Sequence, residues 1–206
     1  MASKIELHNI DCMLFMKDCK DKQFDLAIVD PPYGLERFKA KDGGNSKKIT
    51  TFGDNDKNWN NIKPTAEYWN ELFRVSKYQI VWGGNNFELP TSEYFIVWDK
   101  EQMMPSFARC EMAWTNCKVP AKIYAKRSQD LNRIHPTQKP VDLYKWLLQK
   151  YAKEGDKIFD SHLGSGSIAI ACYDAGYDLI GCELDKEYYD AAVKRLEIHK
   201  QQLTLF

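Results

Sequence analysis

The stretch KIFDSHLGSGSIAIACYDAGYDLIGCE, residues 157–183, decides the fold class. A short apolar run leads into a glycine-rich turn, then into an apolar segment that ends at Gly176, and then into a second apolar run. Gly164 and Gly166 let the backbone turn tightly, and a glycine directly after an apolar segment is a typical helix stop. The pattern predicts a strand, a helix and a parallel strand, which together form a βαβ unit.

The same alternation extends along the rest of the chain. Apolar runs of strand length lie at 25–30, 79–82, 94–98, 111–114, 123–125, 157–160 and 178–182. Helical patterns lie at 64–76, 140–152, 168–175 and 186–199. Bounded apolar runs of this length fit strands that are covered on both faces of a sheet. The sequence therefore predicts an α/β fold with a largely parallel sheet.

Length and composition are typical of one folded domain. The chain has 206 residues and a mass of 24.0 kDa, with 44% hydrophobic and 28% charged residues, which excludes a wholly disordered protein. Mean hydropathy is −0.55, and no apolar run approaches the roughly 20 residues that span a bilayer. The first residues carry no apolar signal-peptide core, so we expect a cytoplasmic protein that does not enter a membrane.

The charge is balanced overall but locally basic. Lys plus Arg and Asp plus Glu both number 29, which excludes a globally basic nucleic-acid binder. Residues 37–48 hold five basic side chains against one acidic, and residues 118–139 hold six against one. A polyanion would be attracted if the fold brings these stretches together, whereas two solvated loops are the alternative. The candidate nucleic-acid contacts are Arg37, Lys39, Lys41, Lys47, Lys48, Lys122, Lys126, Arg127 and Arg133.

The six cysteines form no recognisable site. They lie far apart along the sequence, with no Cys-x-x-Cys and no zinc-type spacing. A chain of this length also needs no disulfide framework to fold. We therefore expect reduced, mostly buried thiols and no metal ion.

The glycine-rich turn has an acidic partner. Gly164-x-Gly166-x-x-Ala169 fits the loose dinucleotide pattern, and Glu183 follows Gly164 by nineteen residues at the end of the next predicted strand. A carboxylate there can accept hydrogen bonds from both hydroxyls of a ribose, which favours an adenosine-containing cofactor. The turn alone does not choose between a nicotinamide dinucleotide and S-adenosylmethionine, and a plain packing role also stays open.

A second motif, Asp30-Pro31-Pro32-Tyr33, ends the predicted strand 25–30. Ligands of open α/β sheets bind at the carboxyl ends of strands. The Asp30 carboxylate and the Pro31 carbonyl can accept the two N–H groups of a nucleobase amine, so that the nitrogen lone pair points at an electrophile. The prolines fix that backbone in advance, and Tyr33 offers a flat face to an extruded base. A rigid strand exit would explain the prolines but neither the Asp nor the Tyr.

Together these motifs resemble the amino-group DNA methyltransferases that use S-adenosylmethionine. Their order, with the Asp-Pro-Pro-Tyr motif first and the cofactor turn late, is similar to the permuted β class, and the Asp resembles the adenine-N6 type. Residues 82–85, 111–114 and 135–140 also look like family segments. The resemblance spans most of residues 5–195.

The resemblance implies a fold and partners. The expected fold is a Rossmann-like class I methyltransferase, a three-layer sandwich in which helices cover both faces of a mostly parallel seven-stranded sheet. Residues 1–206 would form one domain with no separate target-recognition domain, and the long loops 34–63 and 117–134 would be mobile or contact DNA. The expected cofactor is S-adenosylmethionine, and the expected partners are DNA, with a short or relaxed target sequence, and a second copy in a homodimer.

The resemblance also assigns residue roles. Asp30, Pro31, Pro32 and Tyr33 match the catalytic motif. The implied cofactor site adds Asp11, Cys12, Thr137, Gln138, Lys139, Asp160, Ser161, His162, Gly164, Ser165, Gly166, Ser167 and Glu183 to Asp30. Within it, Asp11 and Cys12 lie near the adenine, and residues 137–139 border the methionine moiety. Ser161 and His162 stand where the family usually has Pro and Phe.

Four other functions stay open at this point. An RNA adenine methyltransferase or a DNA cytosine-N4 methyltransferase would use the same hydrogen-bond geometry. A nicotinamide oxidoreductase would explain the turn and Glu183 but would leave Asp-Pro-Pro-Tyr without a role. A non-catalytic nucleic-acid-binding module would not need Asp30.

Overall fold

A computed structural model describes residues 3–34, 63–102, 108–127, 134–135 and 137–203 of the chain. In this part, the strands are β1 (Ile5–Asn9), β2 (Phe24–Val29), β3 (Ser76–Trp82), β4 (Phe95–Asp99), β5 (Cys110–Thr115), β6 (Lys122–Ala125), β7 (Lys157–Asp160) and β8 (Asp178–Glu183). The helices are α1 (Cys12–Lys17), α2 (Ala66–Val75), α3 (Val141–Tyr151), α4 (Ser167–Ala175) and α5 (Lys186–Leu203).

All of these strands join one sheet in the order β1-β8-β7-β2-β3-β5-β4-β6. Neighbouring strands run parallel except at β3–β5 and β5–β4, which are antiparallel. The beginning of β5 therefore lies at the same edge of the sheet as the carboxyl ends of the other strands. Functional side chains at that edge can meet even though they are far apart in the sequence.

Helices cover both faces of the sheet. Because side chains alternate along a strand, Leu26 and Ile28 of β2 point to one face while Ala27 and Val29 point to the other. The first face packs against α3, α4 and α5, and the second packs against α1 and α2. The result is a three-layer sandwich, as predicted.

The strand count differs from the prediction. The expected α/β sheet is confirmed, but the described residues form eight strands rather than seven. The seven predicted runs all form strands, and β1 adds the eighth. Ile5 and Leu7 of β1 are only half-buried, because β1 lies at the sheet edge and pairs with β8 alone. A half-buried edge strand lacks the continuous apolar run that marks an internal parallel strand.

The helix ends follow local sequence signals. Pro140 directly precedes α3. An N–H group at the start of a helix has no intrahelical acceptor, so a proline, which lacks the N–H, loses no hydrogen bond there. Gly176 ends α4 in the left-handed conformation, with φ of 78°. Asp11 caps α1, its side chain accepting a hydrogen bond from the Met13 N–H at 2.7 Å.

All six cysteines are free thiols. Across the described ranges, no helix combines the length and the apolar character that crossing a membrane requires.

Candidate active site

A cavity of about 810 Å³ opens at the carboxyl edge of the sheet. Its wall contains Asp11 beyond β1, Asp30 beyond β2, Ser161 beyond β7, and Glu183 at the end of β8. A cavity at this edge, of this volume, is where an open α/β sheet binds a small ligand. The two sequence motifs, which lie more than a hundred residues apart, therefore meet in one cavity.

Asp30 is held by two donors. The Tyr33 hydroxyl donates a hydrogen bond to Asp30 Oδ1 at 2.6 Å, and Lys139 Nζ donates to Oδ2. Only 16% of the Asp30 side chain is exposed. Burial, reinforced by the negative charges of Asp30 and Glu111, raises the pKa of Tyr33. Its hydroxyl therefore stays protonated and remains a donor at neutral pH.

The ring of Tyr33 packs against a glycine. Gly83, directly after β3, has φ of 65°, and a Cβ built on it would come within 2.3 Å of Tyr33 Cε1. Such a separation is far below van der Waals contact. The backbone of Gly83 is thus the surface against which the aromatic ring lies, and it explains why the segment 82–85 carries a glycine at this position.

A chain of buried charges continues behind Asp30. Lys139 Nζ lies 3.1 Å from Glu111 Oε2, and Lys100 Nζ lies 2.5 Å from Glu111 Oε1. Burial alone would raise the pKa of Glu111, but the ammonium groups of Lys139 and Lys100 outweigh it and lower that pKa. Opposite charges thus alternate from Asp30 through Lys139 and Glu111 to Lys100.

The glycine-rich turn is closed by backbone bonds. Leu163 N–H donates to the Cys182 carbonyl at 2.9 Å, and Gly166 N–H donates to the Leu163 carbonyl at 3.0 Å. Gly166 has φ of 68° and approaches α5 so closely that a Cβ would lie 3.0 Å from Ala192 Cβ. From α5, Arg195 donates to the Ser165 carbonyl at 2.9 Å. The turn is therefore fixed on both sides.

Glu183 is aimed by two backbone N–H groups. Gly164 N–H donates to its Oε2 at 2.8 Å and Asp185 N–H donates to its Oε1 at 2.9 Å. Each carboxylate oxygen keeps a further acceptor site. Burial raises the pKa of Glu183, although these hydrogen bonds act in the opposite direction. The carboxylate is thus held in place with spare capacity for hydroxyl donors.

Ser161 and His162 form a small polar network with Tyr68 of α2. Ser161 Oγ lies 2.7 Å from the Tyr68 hydroxyl and 2.8 Å from His162 Nδ1. Burial lowers the pKa of His162 to about 4, so its ring is neutral at physiological pH. Both residues face the cavity and are anchored by hydrogen bonds, which neither a Pro nor a Phe in their places would make.

Asp160 lies behind the turn rather than in the cavity wall. It is buried, and its Oδ1 accepts the His162 N–H at 3.0 Å. Burial raises the pKa of Asp160 to about 8. In the structure, therefore, Asp160 braces the turn through a backbone contact.

The structure brings most of the predicted site residues into the cavity wall. Those that line it are Asp11, Cys12, Asp30, Pro32, Thr137, Gln138, Lys139, Ser161, His162, Gly164, Ser165 and Glu183. The remaining predicted site residues, Pro31, Tyr33, Asp160, Gly166 and Ser167, lie close to wall residues along the chain and do not themselves line the cavity.

The predicted nucleic-acid contacts are described only in part. Arg37, Lys39, Lys41, Lys47, Lys48 and Arg133 lie outside the described residues, as do most of 34–63 and part of 117–134. Lys126 and the exposed Arg127 follow β6 at the carboxyl edge of the sheet, and Lys126 pairs with Asp142. Lys122 begins β6 and therefore lies towards the opposite edge.

Several wall residues were missed by the sequence analysis. The clearest are His135, Tyr68, Tyr144, Leu184 and Tyr188. His135 covers the turn, with its ring 3.7 to 3.8 Å from the position of a Cβ on Gly164. The spacing of aromatic residues in 64–76, 140–152 and 186–199 is typical of helix faces that pack on a core. It therefore does not indicate which of these side chains line a cavity. Only the segment 135–140 offered a hint, because His135 begins it.

A curated relative aligns over almost the whole chain. The type II methyltransferase M2.DpnII of Streptococcus pneumoniae is 26% identical over 254 aligned positions, which cover 97% of this chain and 92% of that protein.

Two solved structures are similar in fold. The crystal structure of the M1.HpyAVI–SAM complex matches with a TM-score of 0.64 and 22% identity, covering 93% of this chain and 98% of the other. The PvuII DNA methyltransferase, described as cytosine-N4-specific, matches with a TM-score of 0.64 and 12% identity, covering 98% of this chain and 92% of the other. At these identities the two structures bear on the fold alone.

A family model identifies the family of the chain more directly than the two structures do. The model named N6_N4_Mtase and described as DNA methylase matches residues 92–194, which is half of the chain. The matched region contains the segment 135–140, the glycine-rich turn and Glu183. This match shows that the chain belongs to the N6/N4 family of DNA methylases, and the sheet order and the cavity at the carboxyl edge agree with it.

Proposed function

We propose that this protein transfers a methyl group from S-adenosylmethionine to the N6 amine of an adenine that is flipped out of DNA. One observation carries the proposal: Asp30 and Glu183, the acidic residues of the two sequence motifs, line the same cavity. The carboxylate that we assign to the ribose and the carboxylate that we assign to the target amine can therefore act on neighbouring ligands in one cavity. Membership of the N6/N4 DNA methylase family supports the reaction class.

The charges of the cavity fit this cofactor. Among the described wall residues, four carry carboxylates, Asp11, Asp30, Glu183 and Asp185, and two carry ammonium groups, Lys63 and Lys139, so acidic groups outnumber basic ones. An acidic wall attracts a cation and repels a diphosphate. S-adenosylmethionine is a net cation, because its sulfonium and ammonium groups outnumber its one carboxylate, whereas a nicotinamide dinucleotide is a net anion, because its two phosphates outnumber its one pyridinium group. The electrostatics therefore favour the methyl donor over the dinucleotide.

The catalytic chemistry needs little from the protein beyond alignment. When bound, S-adenosylmethionine supplies an electrophilic methyl group. The Asp30 carboxylate accepts one N–H of the target amine and the Pro31 carbonyl accepts the other, so that the nitrogen lone pair is exposed. One of these two protons must leave the nitrogen as the new N–CH3 bond forms. Pro31 and Pro32 fix the backbone before the base arrives, and preorganised acceptors of this kind lower the barrier without rearrangement. The ring of Tyr33, backed by Gly83, offers a stacking surface for the extruded base.

Adenine in DNA is the target that the motifs favour. The Asp at the start of the motif resembles adenine-N6 enzymes, and the permuted motif order resembles DNA-directed ones. We assign target recognition to the segments 34–63 and 117–134, and Lys126 and Arg127, which follow β6 at the carboxyl edge, are the candidates for phosphate contacts among the described residues. The homodimer and the cytoplasmic location stay predictions.

The test is methyl transfer with identification of the product. The protein is incubated with labelled S-adenosylmethionine and duplex DNA, single-stranded DNA or RNA, and the labelled nucleoside is identified after digestion. The proposal expects N6-methyladenine in DNA at short or loosely defined sites. N4-methylcytosine, or label in RNA alone, would overturn the choice of target. A long stringent site would overturn the relaxed recognition.

Glu183→Ala is expected to weaken cofactor binding rather than chemistry. The variant loses a carboxylate that two N–H groups aim into the cavity. Hydrogen bonds to a charged group are worth about 1.5–3 kcal/mol each, so the loss of one such bond is enough to raise the Kd for S-adenosylmethionine about tenfold to 100-fold. Calorimetric titration measures this, with Glu197→Ala on the exposed face of α5 as a control. An unchanged Kd would contradict the assignment.

Gly83→Ala is expected to lower kcat about tenfold or more, because the new methyl group must displace the Tyr33 ring. Gly155→Ala is the matched control: Gly155 also has a positive φ, of 84°, but no atom lies within 4 Å of its Cβ position. Both variants carry the same kind of backbone strain, and only the first meets Tyr33. Steady-state kinetics on DNA compares them. Equal kcat values in the two variants would rule out a role for Gly83 in placing the ring.

A further inference from the structure

A buried lysine anchors the Asp30 carboxylate. Lys139 is only 2% exposed, yet its ammonium group donates to Asp30 Oδ2 and lies 3.1 Å from Glu111 Oε2. The Trp82 ring lies beneath it, with the centroid 5.2 Å from Nζ. An isolated buried ammonium would be costly, so Lys139 needs at least one of these carboxylates as its partner.

The charge state of Lys139 is set by those partners. Burial alone would lower the pKa of Lys139, but Asp30 and Glu111 outweigh burial and raise it. The group is therefore a permanent cation with three donors and no acceptor. On Glu111, the second oxygen is taken by Lys100, which itself lies over the Trp98 ring. Glu111 is thus fixed on one side by Lys100, and it fixes Lys139 in turn.

The bond to Lys139 leaves Asp30 able to bind a further donor. A carboxylate offers about four acceptor sites on its two oxygens. Lys139 takes one site on Oδ2 and the Tyr33 hydroxyl takes one on Oδ1. Asp30 still lines the cavity, so an amine can approach a carboxylate whose rotation is already restricted. Restricting an acceptor before the substrate arrives is the geometric condition for efficient alignment.

We propose that Lys139 is a positioning residue that holds the Asp30 carboxylate in the orientation that the target amine needs, with Glu111 and Lys100 fixing the ammonium group of Lys139. This inference rests on the proposed function of Asp30. It gives Lys139 a role that acts through another side chain, in contrast to the direct contact with the methionine moiety that the family resemblance implies.

A double-mutant cycle on kcat distinguishes a Lys139 that positions Asp30 from a Lys139 that contacts the methionine moiety directly. The four proteins are the parent chain, Lys139→Met, Asp30→Ala and the double variant, each assayed in single turnovers with labelled S-adenosylmethionine. We expect Lys139→Met to lower kcat about 100-fold while the Kd for S-adenosylmethionine changes less than about twofold. In the Asp30→Ala background the same replacement should cost less than about twofold, because a residue that acts only through Asp30 has nothing left to position. Independent effects that multiply, or a Kd that rises as much as kcat falls, would overturn the proposal.

Two further proteins keep the result interpretable. Lys145→Met removes a lysine whose partner is Asp174, away from the cavity, and should leave kcat and Kd unchanged. The double variant Lys139→Met, Glu111→Gln removes one buried cation and one buried anion together, so the net charge of the interior does not change. Asp30 still loses the lysine that positions it, so kcat should also fall. Normal kcat in this variant would overturn the proposal. If the parent chain methylates no nucleic acid, the proposed function itself fails, whereas an active parent with an equally active Lys139→Met protein refutes this inference alone.

Discussion

Asp30→Ala is expected to lower kcat about 1,000-fold while the Kd for S-adenosylmethionine changes less than about tenfold. The variant loses the acceptor that aligns the target amine, and removal of one preorganised group of this kind costs about 100- to 1,000-fold or more. Lys139 keeps Glu111 as a partner, so the change does not strand a buried charge. Folding should therefore persist, and the loss should appear in the chemical step.

Single-turnover methylation together with calorimetric titration separates the two quantities. Asp190→Ala, which removes the exposed partner of Lys186, serves as the control and should match the parent protein. Retention of kcat in Asp30→Ala would favour a non-catalytic DNA-binding module. An equal loss of cofactor affinity in Asp30→Ala and Glu183→Ala would show that the two carboxylates have been assigned the wrong roles.

Phe159→Ala is expected to lower the free energy of unfolding by about 3–5 kcal/mol. Phe159 lies in β7 and is fully buried. Its ring stacks on Phe24 at a centroid distance of 4.6 Å and on Phe15 at 6.0 Å. Truncation would leave a cavity between the sheet and α1 that these neighbours cannot close. Urea unfolding without cofactor should show a lower midpoint with an unchanged slope.

Phe95→Ala supplies the comparison for that measurement. Phe95 is also a strand phenylalanine, in β4, but 42% of it is exposed. Its removal should cost no more than about 1 kcal/mol. Similar losses in the two variants would mean that the stacked rings do not form the packing centre of this face.

The sequence predicted the parts of the fold that depend on local pattern. Internal strands of a parallel sheet are buried on both faces, so β2, β7 and β8 appear as short apolar runs with sharp ends. Gly176 and Pro140 mark helix boundaries for reasons that hold in any context. The edge strand β1 escaped the list of runs, since it buries its side chains only in part.

The cavity could be anticipated only where a motif carried its own chemistry. Asp30 and Glu183 were found because their positions at strand ends have a general meaning. The bond between Asp30 and Lys139 joins residues 109 positions apart, and no local pattern announces it. Glu111 belongs to the segment 111–114, which the sequence does single out. Its ion pair with Lys139 depends on the antiparallel direction of β5, which brings Glu111 to the carboxyl edge of the sheet. Side-chain pairing across a sheet is a product of tertiary structure.

The pairing of β1 with β8 also constrains the order of folding. Their contacts join segments separated by about 174 residues, so β1 cannot pair with β8 until the residues between them have been synthesised. Asp11 and Cys12, which follow β1 in the cavity wall, are placed by that docking. The methyl-donor pocket is consequently among the last parts of the molecule to assemble, and a nascent chain that already holds Asp-Pro-Pro-Tyr still lacks a complete pocket.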